Sequence, residues 1–235
     1  MKRAYSAASA AIVALLAIVA PAHAALRVPQ VPVSGTSLQN YLNSVGEAIN
    51  VATDQQNNQR WKTTISGNST MTLQISLAGN PRANAIGIYN ADGPAAPALY
   101  EVFPGSAPAN WFAIASFRST TSQLIVSRFD QNGVLKAGPI TYNGVHTNDF
   151  GYYLQGPNGL FYSQDSRQPG TNAAQALEFA GTGDNIGCWW LCFEDSQFGA
   201  PGSDRSFDDA VLFLESVNPT PVSHASWGSV KARFR

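Results

Sequence analysis

The sequence predicts a mainly β protein: an antiparallel, jelly-roll-like β-sandwich with one N-terminal amphipathic helix. Two observations carry this prediction. Short apolar or alternating segments of strand length recur along the chain, separated by turn-forming pairs such as Asp92-Gly93. Charged residues make up only 12% of the 235 residues, and uncharged polar residues take their place. That composition is common in extracellular β-proteins and argues against a cytosolic helical enzyme.

Residues 1–24 have the composition of a secretory signal peptide. Lys2 and Arg3 precede an apolar run over 11–20, and Pro21-Ala-His-Ala24 fits a small-x-small cleavage site. A membrane anchor is the alternative, but this run is shorter than the roughly 20 residues that span a bilayer, and no later stretch is apolar enough. The sequence therefore predicts an exported protein, in the periplasm, at the cell surface or outside the cell, with no membrane span in the mature chain.

The rest of the chain divides into three parts. Residues 25–60 are predicted as an N-terminal extension with the helix, residues 61–217 as the β-sandwich, and residues 218–235 as a flexible, basic, amphipathic tail. Apolar residues at helical spacing make that tail a candidate docking element, and a frayed terminus is the alternative. The net charge is −1 and no basic patch is present, so no nucleic acid partner is expected.

One segment carries a convincing helical pattern. Apolar residues recur at i, i+3, i+4 and i+7 from Leu38 to Ala52, and Ser37 is suited to the N-cap position. The pattern predicts a helix that packs on the sheet and ends before the polar run 55–59.

The period changes to two after Trp61. Apolar residues alternate with polar ones from Met71 to Leu77, as in a half-buried strand. Asn132-Gly133 and Asn158-Gly159, each flanked closely by apolar runs, predict two hairpins. Further strands are predicted over 85–89, 98–103, 111–118, 124–129, 134–140, 150–155, 160–163 and 176–180.

An acidic stretch between two apolar runs is the most specific feature of the sequence. The runs 188–193 and 210–214 have the length and composition of buried strands, and the segment Gly199-Ala-Pro-Gly202 between them excludes a continuous helix. The sequence therefore predicts two strands joined by an acidic loop. Five carboxylates lie at the mouth of that loop: Glu194, Asp195, Asp204, Asp208 and Asp209.

These five carboxylates are the predicted metal ligands, and Ca²⁺ is the predicted ion. Carboxylates so close together repel one another, and Ca²⁺ takes about six to eight oxygen ligands from carboxylates and carbonyls. If Phe207 and Ala210 both face the core, only one of Asp208 and Asp209 faces the ion, and the other bonds to the backbone. The alternative is a solvated loop in which Arg205 pairs with one acid. No histidine or thiolate lies within the loop, which argues against a transition metal.

A resemblance to a known family accompanies this pattern. The chain resembles the bacterial DUF4114 family over roughly residues 85 to 217, most strongly over the last 30 of them. The resemblance implies a secreted β-sandwich module of cell-surface or matrix proteins. Ser206 departs from the family pattern, because many members have a second Asp there, and the sequence lacks a Pro-Glu-Pro sorting tail. The resemblance is carried by Phe150-Gly-Tyr-Tyr-Leu, Gly159-Leu-Phe-Tyr-Ser, Trp190-Leu-Cys-Phe-Glu-Asp and Ser203-Asp-Arg-Ser-Phe-Asp-Asp-Ala-Val-Leu-Phe.

Cys188 and Cys192 are the two cysteines of the sequence. Residues four apart in a regular strand are about 13 Å apart, beyond the roughly 7 Å limit for a disulfide. A disulfide therefore requires a bulge or turn around Trp189-Trp190, and two buried free thiols are the alternative.

Catalysis is not predicted. His146-Thr-Asn-Asp149 places an acid near an imidazole, but no nucleophile motif accompanies it. A glycoside hydrolase that uses Glu194 with Asp195 or Asp208 is a distant alternative, because these acids share one loop instead of flanking a cleft. No catalytic residue and no cofactor besides Ca²⁺ is predicted.

The sequence thus favours a non-catalytic exported module for surface or matrix structure, with the acidic loop held by Ca²⁺. Its candidate partners are a surface polysaccharide or a matrix protein. The alternative is a glycan- or ligand-binding module in which Trp111, Trp189, Tyr152 or Tyr153 stacks on sugars. Core packing is the simpler interpretation of those rings, because each lies in an alternating apolar run.

Overall fold

The computed structural model describes residues 25–64, 67–75, 84–170 and 173–220, and describes 69–75 by their backbone only. The predicted signal peptide, the end of the strand predicted after Met71 and the tail beyond Thr220 lie outside the described residues. Within those ranges, no helix has the length and apolar character needed to cross a membrane.

The fold class is confirmed as mainly β, with antiparallel strands and one α-helix among the described residues. The helix α1 is Ser37–Ser44, and two short 3-10 helices cover Asp165–Arg167 and Gly183–Asn185. The strands are β1 Trp61–Thr63, β2 Asn68–Ile75, β3 Ala85–Asn90, β4 Leu99–Phe103, β5 Phe112–Arg118, β6 Gln123–Phe129, β7 Leu135–Asn143, β8 Phe150–Gly156, β9 Gly159–Tyr162, β10 Ala176–Ala180, β11 Trp189–Phe193, β12 Ala210–Leu214 and β13 Val217–Pro219.

The strands form two sheets that pack face to face. Sheet 1 has the order β10-β11-β12-β2-β5-β6-β7, and sheet 2 has the order β13-β1-β8-β3-β4 with β9 paired to β8. Both predicted hairpins are present, as β6–β7 and β8–β9. Gly133 allows the first turn because its φ of 78° lies in the left-handed region.

The main core lies between the sheets. Inward-facing residues alternate with outward-facing ones along β6, where Leu124 and Val126 are buried. From the other strands, Trp61, Phe150 and Leu212 fill the same layer. The short strands β1 and β13, which pair with each other, were not predicted, because three residues are too few to show a period.

The helix is shorter than predicted. Its N-cap is Thr36, with Ser37 as the first helical residue, and it ends at Ser44. The N–H of Glu47 bonds to the carbonyl of Leu42, and the N–H of Gly46 bonds to the carbonyl of Asn43. Gly46 has a φ of 85°. These two bonds and the left-handed glycine form a Schellman motif, which stops the helix.

Beyond Gly46 the chain still contributes buried apolar residues, one of which, Ile49, belongs to the predicted pattern. Ile49 and Val51 pack with Leu38 and Leu42 in a second core, which lies against the face of sheet 1 remote from sheet 2. This second core includes Trp190 of β11. Of the pattern residues beyond Gly46, Ile49 is buried, whereas Ala48 and Ala52 are exposed. The pattern therefore predicted burial only in part and helix length incorrectly.

The first described residues cover the edge of sheet 1. Gln56 forms an antiparallel bridge with Glu178 of β10, and Leu26 forms one with Gln56. The N–H of Gln56 donates to the carbonyl of Glu178 at 2.7 Å, and the N–H of Asn57 donates to that of Ala25 at 2.9 Å. This pairing protects an edge that would otherwise present free backbone groups.

Candidate cation site in the acidic loop

The acidic loop joins β11 to β12, as the sequence predicted. Arg205 and Phe207 have φ values of 60° and 54°, in the left-handed region. The turn at Phe207 directs its side chain into the second core beside Leu38 and Leu42, whereas Ala210 faces the main core. Phe207 and Ala210 therefore point to opposite faces of sheet 1, so the condition under which only one of Asp208 and Asp209 would face an ion is not met.

Glu194 and Asp209 form the buried centre of the loop. Glu194 is only 2% exposed, and its Oε2 has no hydrogen-bond partner. Burial raises the pKa of Glu194 to about 7, with repulsion from Asp209 and Asp204 adding to the rise. Burial likewise raises the pKa of Asp209 to about 7, and an N–H from Asp195 to its Oδ2 at 2.7 Å partly offsets this.

Asp195 accepts hydrogen bonds from side chains on two neighbouring segments. Its Oδ2 accepts one from the Asn84 amide at 2.9 Å, and its Oδ1 accepts one from Ser196 Oγ at 3.2 Å. Asn158 Nδ2 lies at the limiting distance of 3.5 Å from the same Oδ1. These contacts connect the acidic loop to the strands of sheet 2.

Asp208 points away from Asp209. Its two carboxylate oxygens accept hydrogen bonds from the hydroxyls of Ser37 and Ser206. Asp208 therefore attaches α1 to the loop. The expectation that Asp208 and Asp209 have different roles agrees with this geometry, because the turn at Phe207 separates their side chains.

Asp204 and Arg205 lie at the outer side of the loop. Asp204 is exposed, and its Oδ1 accepts the N–H of Ser206 at 2.9 Å. Arg205 donates to the carbonyl of Pro32 at 3.1 Å, and its guanidinium lies 4.5 Å from the centre of the Phe198 ring. In the described ranges Arg205 forms no ion pair, so it does not neutralise the acids.

Few side chains of the loop are placed to bind a metal ion. Within the residues that the structure describes, no three His, Cys, Asp or Glu side chains are arranged so that they could hold a metal ion. Glu194 and Asp209 are the pair with buried, mutually repelling carboxylates, and the unpartnered Oε2 of Glu194 is the oxygen that a cation would satisfy. Backbone carbonyls and water would have to complete the coordination.

The two cysteines are free thiols. Cys192 lies in the regular part of β11, paired with Leu177 and Val211, and it is fully buried. Cys188 precedes the strand and is half-buried. Because β11 contains no bulge between them, the geometry that a disulfide requires is absent.

The aromatic residues considered for sugar stacking are mostly in the core. Trp189, Tyr152 and Tyr153 are buried, and Trp111 is partly buried against the main core. The stacking alternative is therefore wrong for the first three rings.

The histidine expected near Asp149 has another partner. His146 Nδ1 lies 2.7 Å from Asp92 Oδ1, whereas Asp149 accepts two hydrogen bonds from Arg60, one of them from Nε at 2.7 Å. In the described chain, no serine or cysteine side chain bonds to His146 as a nucleophile would. These contacts agree with the structural role that the sequence favoured.

Sequence reasoning missed the partners of the acids. Ser37 precedes Asp208 by 171 residues, and Asn84 precedes Asp195 by 111, so no spacing rule relates them. Ser206 is a different case. A serine two residues before an acid in a glycine-rich loop is a local hydrogen-bonding signal, and it could have been recognised.

Comparisons of the chain with protein-family models, with curated proteins and with solved structures found no match. The resemblance to DUF4114 therefore stays a prediction that rests on the residues quoted for it.

Proposed function

We propose that this protein is a non-catalytic, exported module of the cell surface or extracellular matrix, and that a Ca²⁺ ion stabilises its acidic loop. Export rests on the sequence of residues 1–24. The calcium part of the proposal rests on one structural observation, the buried and unpartnered Oε2 of Glu194 beside Asp209.

The charge around Glu194 supports this proposal. Among the described residues, none of the five acids of the loop forms an ion pair with Lys, Arg or His. A buried carboxylate without a charged partner costs free energy when it is ionised, and the backbone hydrogen bond from Phe207 to Glu194 offsets that cost only in part. Either a proton or a cation removes that cost, and extracellular fluids commonly supply calcium at a concentration at which weak sites fill.

The site offers few protein ligands to a calcium ion. Glu194 and Asp209 would provide carboxylate oxygens, while Asp195 and Asp208 already accept hydrogen bonds from neighbouring side chains. Asp204 is exposed and close enough to raise the pKa of Glu194, so it is the third candidate ligand. Binding therefore requires a movement of side chains within the loop.

A calcium titration followed by thermal unfolding tests the proposal. Metal-free protein at pH 7.5 is unfolded with and without calcium, and with magnesium at equal ionic strength. A ligand bound only by the folded state at a hundredfold excess over Kd stabilises it by about 2.7 kcal/mol. For a chain of this size, we expect calcium to raise Tm by about 5–10 °C.

Glu194→Gln is the informative variant. Because it removes a buried charge, we expect it to raise Tm in metal-free buffer and to abolish the rise with calcium. Asp184→Asn is the matched control, since Asp184 is exposed in a 3-10 helix outside the loop, and it should keep the full calcium effect. A Tm that calcium leaves unchanged, or an undiminished rise in Glu194→Gln, contradicts the proposal.

A further inference from the structure

A shallow groove lies where the two sheets meet, away from the acidic loop. It consists of two adjoining depressions of about 470 and 300 Å³ that share Ser119, Thr147 and Asn148. One wall comes from β1 and β13 of sheet 2, and the other comes from the turn between β5 and β6 of sheet 1. We call this the polar groove, and its hydroxyl and amide lining includes Thr63, Ser119, Ser122, Thr147, Asn148 and Asn218.

The lining of the polar groove has unused hydrogen-bonding capacity. The side chains of Ser119, Asn148 and Asn218 make no hydrogen bond with any other residue in the described ranges, and the hydroxyl of Ser122 makes none either. The backbone holds one of these positions: Ser122 adopts a φ of 51°, and its carbonyl accepts the N–H of Val145 at 2.8 Å. Exposed hydroxyls and amides without a protein partner can bond to a ligand rich in hydroxyl groups.

Charge is uneven along the groove. In the smaller depression, Asp149 pairs with Arg60, and Asp92 lies within hydrogen-bond distance of His146, which offsets the charge of Asp92 only when the imidazole is protonated. Lys62 lines the larger depression, is exposed, and forms no ion pair with any described residue. The larger depression therefore has a single uncompensated cation among neutral hydroxyls and amides, which suits a ligand with a carboxylate.

The groove is poorly suited to a peptide. Its apolar lining residues are Phe117 and Val145, and both are buried beneath the surface. A peptide partner would need an apolar pocket for a side chain or an open strand edge. The edge strand in the wall of the groove, β13, has only 3 residues, which is too short to pair with an extended peptide. A carbohydrate presents hydroxyls along its whole length and requires neither.

We propose that the polar groove binds a segment of an acidic polysaccharide, with Lys62 contacting a sugar carboxylate and the hydroxyl and amide lining contacting sugar hydroxyls. This inference rests on the proposed role at the cell surface, takes the surface polysaccharide that the sequence suggested as a candidate partner, and assigns it a site. It does not depend on calcium, because no residue of the acidic loop lines the groove.

The test uses two probes that differ in charge: a hexamer of galacturonic acid and a neutral hexamer of glucose. Each is titrated into the isotopically labelled protein, and backbone amide shifts in NMR spectra locate the contact. We expect the acidic hexamer to shift the amides of Lys62, Ser119, Asn148 and Asn218, with weaker binding at high salt. The neutral hexamer should bind at least about tenfold more weakly.

Two variants and one control sharpen the result. Lys62→Gln should weaken binding of the acidic hexamer about tenfold, which corresponds to loss of one charged hydrogen bond, and should bring it to the level of the neutral hexamer. Asn148→Ala should weaken both probes. Lys136→Gln on β7, where Lys136 pairs with Asp130, should change neither.

The inference is overturned if the acidic hexamer causes no amide shift at the groove up to about 10 mM, or if the amides that shift lie elsewhere on the protein. It is also overturned if Lys62→Gln binds the acidic hexamer as tightly as the parent protein. Binding of an extended peptide in the groove in preference to both hexamers overturns it as well. None of these outcomes affects the calcium titration, so the two proposals fail separately.

Discussion

Glu47 shows how one carboxylate can attach a loop to a sheet. It accepts hydrogen bonds from the N–H and Oγ1 of Thr182 at 2.7 and 2.6 Å, from Asn185 Nδ2 at 2.7 Å and from Trp190 Nε1 at 2.8 Å. Burial by itself raises the pKa of Glu47, but these hydrogen bonds outweigh burial and the net shift is downward. The ionised form is therefore the one that the folded protein prefers.

This preference predicts how Glu47→Gln behaves with pH. A carboxyl whose pKa is lowered by folding contributes stability above its unfolded pKa of about 4.3, and loses it as pH falls through the folded pKa. We expect the variant to lose about 2 kcal/mol of unfolding free energy at pH 7, because a charged acceptor is replaced and an amide faces several donors. Urea unfolding at pH 7 and at about pH 3 measures the loss, which should shrink at the lower pH.

Glu101→Gln is the control for that experiment. Glu101 pairs with Arg128 through a carboxylate that is 39% exposed, and such a pair contributes about 0–1 kcal/mol. If Glu47→Gln loses no more unfolding free energy than this control, or if its loss does not depend on pH, the anchoring role of Glu47 is contradicted.

The N-terminal segment is joined to β10 by a buried group of charges. Arg27 lies 2.6 Å from Asp165 Oδ2 and 3.4 Å from Glu178 Oε2. Burial raises the pKa of Glu178 to about 8, although Arg27 lowers it in part. Glu178 Oε1 and Arg27 Nε have no hydrogen-bond partner in the described chain, so this charge group is incompletely satisfied.

The upward pKa shift gives Glu178 the opposite pH dependence to Glu47. Its contribution is fully present below the unfolded pKa of about 4.3 and is lost as pH rises through about 8. We expect Glu178→Gln to be more stable than the parent protein at about pH 9 and to differ little near pH 5. Thermal unfolding across this range is the measurement, and a variant less stable than the parent at the higher pH contradicts the assignment.

Particular elements show what the sequence could predict. Strands that bury one face, such as β5 and β6, could be predicted from period-two alternation. Strands that are buried on both faces, such as β11 and β12, could be predicted from their continuous apolar runs. The helix was extended too far because Ala48, Ile49 and Ala52 continue its apolar spacing past Gly46, and a single glycine nine residues before the polar run 55–59 is a weak stop signal. Local spacing could not show that Gly46 closes a Schellman motif.

The candidate site was predicted only in part. The five acids share one loop, and their spacing revealed that loop. Their separation into a buried pair and hydrogen-bonded neighbours depends on the left-handed turn at Phe207 and on Ser37 and Asn84, which are distant in sequence. The polar groove combines residues from both sheets, so no local pattern marks it.

The two sheets are held together by an aromatic layer at the centre of the molecule. The Trp61 ring is fully buried and meets Tyr152 and Trp189 edge-on at centroid distances of 5.6 and 5.5 Å. Because Trp61 fills a space between the sheets, we expect Trp61→Ala to lower the free energy of unfolding by about 3–5 kcal/mol. Denaturant unfolding measures the loss.

Trp111→Ala is the matched comparison, since Trp111 is only partly buried, and it should cost clearly less. Trp61→Phe keeps the protein measurable if the alanine variant does not fold, and its cost should lie between the other two. Equal costs at Trp61 and Trp111 would contradict the central role of this layer.

The pairing of β2 with β12 has a consequence for the time at which the chain folds. Leu73 lies beside Leu212, and Trp61 of β1 lies beside Pro219 of β13, so strands from the two ends of the sandwich complete both sheets. Contacts this distant in sequence make folding slow, on the order of milliseconds to seconds. Until β12 has been synthesised, the side of β2 that pairs with it has no partner, and the backbone groups on that side stay open to foreign strands. Productive folding therefore begins only after almost the entire sandwich has been synthesised.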